Sequence, residues 1–184
     1  MARKSINELI AQATADFPDN TTGLITPAKL RQWALDFLNA ISPAYGYLTK
    51  ELPSSQTLGL TPSLITFTAA YDSDPSQTTS AVPASTITRA EKGTSTFQFS
   101  ADFECQVGRF INFTLYKNGV ATPWRITGNG GGNGNPVAVA LTAVDYADPA
   151  AVYDIRGTAE VAGTPVTIQN MVFLLSVEPV RSFT

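Results

Sequence analysis

The sequence predicts a mainly β protein: an antiparallel jelly-roll β-sandwich preceded by an N-terminal α-helical hairpin. Three observations point there. Apolar residues recur at helical spacing before residue 42 and at period two after Pro53. The period-two segments are short, numerous and separated by stretches rich in Gly, Pro, Asn and Asp, as in sandwiches and jelly rolls. Between two of them stands Asn118-Gly119, the strongest short-range hairpin signal.

The helices come first. Ser5-Ile6-Asn7-Glu8 reads as a capping box, with Ser5 capping and Glu8 reaching back. Ile6, Leu9, Ile10, Ala13 and Phe17 follow at helical spacing, and Pro18-Asp19-Asn20 ends the run. Thr26-Pro27 starts a second helix, with proline at its first position. Its stripe is Leu30, Trp33, Phe37 and Ile41, flanked by Ala34 and Leu38, and Ser42-Pro43 stops it. Residues 1–50 thus form a helical anchor segment, 51–58 a linker and 59–184 the sandwich. A hairpin of this size buries too little to stand alone. Its stripe is expected to dock on the β-domain, on sister chains or on a larger partner.

The strands follow. Leu64 to Tyr71 is the first. The clearest runs through Phe97, Phe99, Ala101, Phe103, Cys105 and Val107, alternating with Gln98, Ser100, Asp102, Glu104 and Gln106. That is a half-buried strand with one wet face. Ile111, Phe113 and Leu115 make the next, and Trp124–Thr127, Val137–Val144, Val152–Val161 and Val166–Val177 supply the rest. Turn-rich stretches at 72–76, 128–136, 145–149 and 162–165 separate them.

Composition narrows the function. The chain has 184 residues, a net charge of −3 and scattered basic residues, so neither nucleic acid nor an acidic membrane is an expected partner. No apolar stretch is long enough to span a bilayer. Asn7, Glu8 and Gln12 interrupt the N-terminal apolar run, which argues against a secretory signal and for synthesis in a cytoplasm. Histidine is absent, which removes Ser-His-Asp and Cys-His catalysis and histidine zinc sites. The single cysteine, Cys105, sits on the apolar side of its strand and reads as a core residue. The run from Gly128 to Pro136 lacks the Gly-Lys-Ser/Thr ending of a phosphate loop and the third glycine of a dinucleotide fingerprint, so it reads as a flexible inter-strand loop. Asp72-Ser73-Asp74 is at most a weak cation site. No catalytic residue, metal site or cofactor is expected, and no enzymatic activity.

Met171-Val172-Phe173-Leu174-Leu175 is apolar on both faces. Strand side chains alternate, so Met171, Phe173 and Leu175 point one way and are assigned to the core. Val172 and Leu174 then face outward, where either the helical segment or a sister subunit covers them.

Residues 59–184 resemble a tumour necrosis factor-like jelly roll. The likeness rests on Ile87-Thr88 through Lys92-Gly93 leading into the alternating strand, on Phe113-Thr114-Leu115-Tyr116-Lys117-Asn118-Gly119, and on the closing run from Val166 to Leu174. The stretch from Asn20 to Arg31 is similar to a segment at the start of tailed-bacteriophage virion proteins. Together these imply a homotrimeric virion structural protein, a capsid decoration or head-fibre component. Val172 and Leu174 would lie at its trimer interface, and Leu30, Trp33, Phe37 and Ile41 would anchor it to other virion proteins of the capsid or tail. The alternative is a tail or baseplate module binding a receptor or host-surface glycan, with Trp124, Tyr146 and Tyr153 as ligand-contact aromatics.

Overall fold

The structure is a computed structural model that describes residues 6–16, 26–41, 44–50, 53–90, 92–132 and 135–177. Two helices open it, α1 (Ile6–Asp16) and α2 (Pro27–Ile41). Thr26 caps α2: its Oγ1 accepts the Lys29 N–H at 3.2 Å and its carbonyl accepts the Leu30 N–H at 3.1 Å. Pro27 follows where a missing N–H costs nothing. The expected capping residue Ser5 and the stripe residue Phe17 lie outside the described residues.

Twelve strands follow: β1 (Ala44–Lys50), β2 (Ser54–Leu58), β3 (Ser63–Leu64), β4 (Ala69–Asp72), β5 (Thr78–Ala81), β6 (Thr86–Arg89), β7 (Gly93–Cys105), β8 (Phe110–Lys117), β9 (Val120–Asn129), β10 (Val137–Ala147), β11 (Val152–Ala159) and β12 (Thr164–Val177). The first sheet has the order β10-β7-β12-β1-β4, with β2 also on β12. The second has the order β5-β6-β11-β8-β9, with β3 also on β11. Every pairing is antiparallel. From β6 onward each connection except the β8–β9 hairpin crosses between sheets. That strand order is a jelly roll, as expected.

The sandwich begins earlier than residue 59. β1 lies between β12 and β4, and β2 lies along β12 at Ser54↔Ile168 through Leu58↔Thr164. Residues 44–58, read as the end of the anchor and a linker, therefore belong to the first sheet. The inward face of β1 is Ala44, Gly46, Leu48 and Lys50, and its tyrosines point out. That reverses the expected order of apolar inside and polar outside. The lysine is satisfied where it sits, its Nζ donating to the Thr66 carbonyl at 3.0 Å, and burial pulls its pKa down.

Two other readings change. The run from Leu64 to Tyr71 is split into β3 and β4, which lie in different sheets. Val107 falls in the turn after β7 and is exposed, because the chain reverses there at Gly108. The β8–β9 turn is as expected. Asn118 and Gly119 both have positive φ, 51° and 77°, which a two-residue turn matching strand twist requires.

The core lies between the sheets. Phe97, Phe99, Phe103, Cys105 and Phe173 come from the first, and Ile111, Phe113, Leu115, Tyr153 and Ile155 from the second. Phe99 and Phe113 meet across it at 5.3 Å between ring centres, and Phe97 and Tyr153 at 4.4 Å. Along β12, register with β7 shifts between Ile168 and Asn170. This bulge lets Val166 and Ile168 before it, and Met171, Phe173 and Leu175 after it, all face the core.

The glycine-rich stretch is packed closely against its neighbours. Gly130 N–H donates to the Arg109 carbonyl at 2.8 Å and Gly132 N–H to the Cys105 carbonyl at 3.1 Å. A Cβ on Gly130 would lie 2.3 Å from the Cys105 sulfur, so glycine serves close approach here.

Candidate functional site

The candidate site begins with the alternation of β12. Phe173, Met171 and Leu175 are buried, while Val172 is 40% exposed and Leu174 half-buried on the outer face. Strand register extends these two residues into rows across the first sheet. One row reads Thr142, Gln98, Leu174, Tyr47, Tyr71, and the next Ala140, Ser100, Val172, Thr49, Ala69. Neither row contains a charge. Carboxylates appear on this face at Asp102 and Glu104, toward the far end of β7.

Three tyrosines stand at the β1–β4 side of this face. Tyr47 and Tyr71 are direct cross-strand partners with ring centres 5.2 Å apart. Tyr45 lies 6.4 Å from Tyr47 and 6.1 Å from Tyr71. Aromatic pairs at such distances attract each other beyond their burial. Tyr45 and Tyr71 remain exposed. Sequence reasoning missed this cluster. The signal was the alternation of Tyr45, Tyr47 and Thr49, concealed by a strand whose buried side is small or charged.

The outer face of the second sheet has a different character. Asp154 accepts from Arg156 through Oδ1 at 2.7 Å and Oδ2 at 3.2 Å. The guanidinium lies 4.3 Å from the centre of the Tyr116 ring. The hydrogen bond to Asp154 raises the Arg156 pKa, so the pair stays ionised.

The three aromatics expected at a ligand cleft are not brought together. Tyr153 is a core residue, fully buried, because it shares the inward phase of β11 with Ile155. Its hydroxyl donates to Asp145 Oδ2 at 2.7 Å, which rules it out as a surface contact. Trp124 is half-buried on β9 and packs against the core. Only Tyr146 is well exposed, with the Lys92 ammonium 5.7 Å from its ring centre.

Asp145 joins the two sheets. Besides Tyr153 it holds Lys117 Nζ at 2.8 Å, and Lys117 also donates to the Tyr146 carbonyl at 3.3 Å. Burial alone would raise the Asp145 carboxyl, but Lys117 and Tyr153 outweigh it and hold the pKa below its ordinary value. Burial, and then Asp145 itself, push the Tyr153 phenol well up, so it stays protonated as the donor.

The helical hairpin is the second part of the site. Leu9, Ile10, Ala13, Trp33 and Phe37 line a cavity of about 140 Å³ without a polar atom at its surface. Trp33 and Phe37 stack at 5.5 Å. Leu9 is buried, yet Ile10, Leu30, Phe37 and Leu38 stay exposed. Of the anchor stripe, Leu30, Trp33 and Phe37 therefore lie on a partly open apolar surface. The side chain of Ile41 lies outside the described residues.

The remaining candidates are held by structure. Burial raises the Cys105 thiol pKa, which suits a packed core residue. Asp72 accepts the Ser80 N–H and hydroxyl, each at 2.8 Å, and Asp74 accepts the Ser76 N–H at 3.0 Å. Both carboxylates are occupied by neighbouring donors. Among the described residues no three His, Cys, Asp or Glu side chains converge on a point that would hold a metal. No described helix is long and apolar enough to cross a membrane.

No protein-family model matches the chain, and no curated protein matches it. Solved structures do match. One is the globular domain of zebrafish complement 1qA protein, at 15% identity over 77% of this chain and 100% of that chain, with a TM-score of 0.49.

Proposed function

We propose that the protein is a non-enzymatic structural module that assembles as a homotrimer through the outer face of its first sheet. The observation that carries this reading is the charge-free pair of rows through Val172 and Leu174. An outward sheet face is ordinarily polar, and an apolar stretch on it favours burial against another surface. We further propose that it serves a tailed-bacteriophage particle as a capsid decoration or head-fibre protein, made in the host cytoplasm. The segment from Asn20 to Arg31 and the open apolar surface at Leu30, Trp33 and Phe37 support that placement. Light scattering on the full chain tests the assembly: three copies are expected, and a monomer at micromolar concentration contradicts it. Full-chain Leu30→Asp and Phe37→Asp test the anchor. Both should assemble normally yet fail to join particles, and full incorporation would place the anchor elsewhere.

A second reading has its own observation. Tyr45, Tyr47 and Tyr71 form an exposed aromatic group of the kind that glycan-binding surfaces use, which favours a receptor- or carbohydrate-binding role on a tail or baseplate. Tyr71→Ala should then abolish retention on host-surface glycans while leaving the oligomer intact.

A further inference from the structure

Two exposed leucines on α2 are not explained by packing on α1. Leu35 is 54% and Leu38 55% exposed, and Leu35 falls outside the anchor stripe. The groove that α1 and α2 form together is lined by Trp33 and Phe37, not by these two. At 100° per residue they share a flank of the helix, in the three-residue step that separates apolar positions along a helix–helix seam. A leucine pair left in water on a helix of 15 residues is a loss that a partner would recover.

The position of α2 in the chain says which partner reaches it. Ile41 ends α2 and Ala44 begins β1, so two residues connect them. Three extended peptide units span at most about 11 Å. The hairpin is thus leashed to the end of β1, beside Tyr45 on the outer face of the first sheet. When copies bury that face together, their hairpins are held near one another at high effective concentration, where even a short seam forms.

We infer that the Leu35–Leu38 flank of α2 packs against the same flank of sister copies, making a helical cluster continuous with the sheet interface. The groove at Trp33 and Phe37 stays free for the particle. This inference rests on the proposed self-assembly through the first sheet.

The test uses the full chain. Its single native thiol, Cys105, is buried, so an introduced surface cysteine is a clean probe. Leu38→Cys should give mostly disulfide-linked pairs of chains under mild oxidation. Lys29→Cys lies nine residues away on the same helix, about two and a half turns and so on the opposite side. It should give at least tenfold less. Adding Leu174→Asp to Leu38→Cys should abolish the crosslink. If light scattering shows assembled chains and Leu38→Cys crosslinks no better than Lys29→Cys, the flank is covered by something other than a sister copy and the inference is overturned, while assembly through the sheet stands. If the chain is monomeric and uncrosslinked, both readings fall.

Discussion

Tyr153 and Asp145 lie in different sheets and share one hydrogen bond, the phenol donating to the carboxylate at 2.7 Å. The tyrosine is fully buried on β11, and the carboxylate sits near the end of β10, an edge strand of the first sheet. With Lys117 on β8 also bound to Asp145, the contact fastens that edge to the second sheet.

The first prediction concerns acid. The Asp145 pKa is lowered in the folded protein, so its contribution is complete above the unfolded carboxyl value near 4 and is lost as pH falls through the lower folded value. Asp145→Asn should cost about 1.5–3 kcal/mol at pH 7, the worth of a hydrogen bond to a charged group. Urea denaturation at pH 7 and pH 2.5 should show the gap between variant and wild type closing in acid. An equal gap at both values would mean that the carboxylate charge contributes nothing.

The second concerns the two faces of β12. Phe173→Ala removes a fully buried ring and should cost about 3–5 kcal/mol. Leu174→Asp, one residue on, should keep its β-rich circular dichroism and melting behaviour but lose self-association, because it places carboxylates in a desolvated contact. A Leu174→Asp protein that still scatters as a trimer would show that the outer face is not the interface.

The third concerns Gly128 on β9. A Cβ there would lie 2.6 Å from the ring of Phe103 and 2.9 Å from Val139, both core residues. Gly128→Ala should therefore destabilise by about 1–3 kcal/mol through overpacking. A thermal melt unchanged from wild type would imply that the core yields without strain.

The fourth concerns where the chain can be cut. Removing residues 1–43 should leave the sandwich folded. Removing residues 1–50 takes away β1, and with it Leu48 and the seven pairings to β12. That protein should lose its near-ultraviolet circular dichroism. If both truncations behave alike, β1 is dispensable.

What the sequence reveals depends on whether composition and side agree. β7 was legible because each inward residue from Phe97 to Cys105 is apolar and each outward one polar. The helices were legible from Thr26-Pro27 and the stripe after it. β1 was hidden because it buries Ala44, Gly46 and Lys50 while showing its tyrosines outward. Tyr153 was misplaced because its residue type suggested a surface contact, whereas its phase with Ile155 puts it inside. The outer rows of the first sheet depend on the register of five strands far apart in sequence, which no local pattern supplies.

The bulge on β12 has a consequence for parity. Before it, even-numbered residues face the core, and after it the odd-numbered ones do. Deleting Gln169 would restore an unbroken ladder, and the nine residues downstream could then keep their pairing partners or their inward side chains, but not both. Either Phe173 turns to solvent or the strand slips by one along β7 and β1. A single uncharged residue whose side chain bonds only Glu104 among the described contacts thus decides which face of the last strand is core and which is surface. Soluble expression of a Gln169 deletion at wild-type yield would show that the sandwich can absorb the slip.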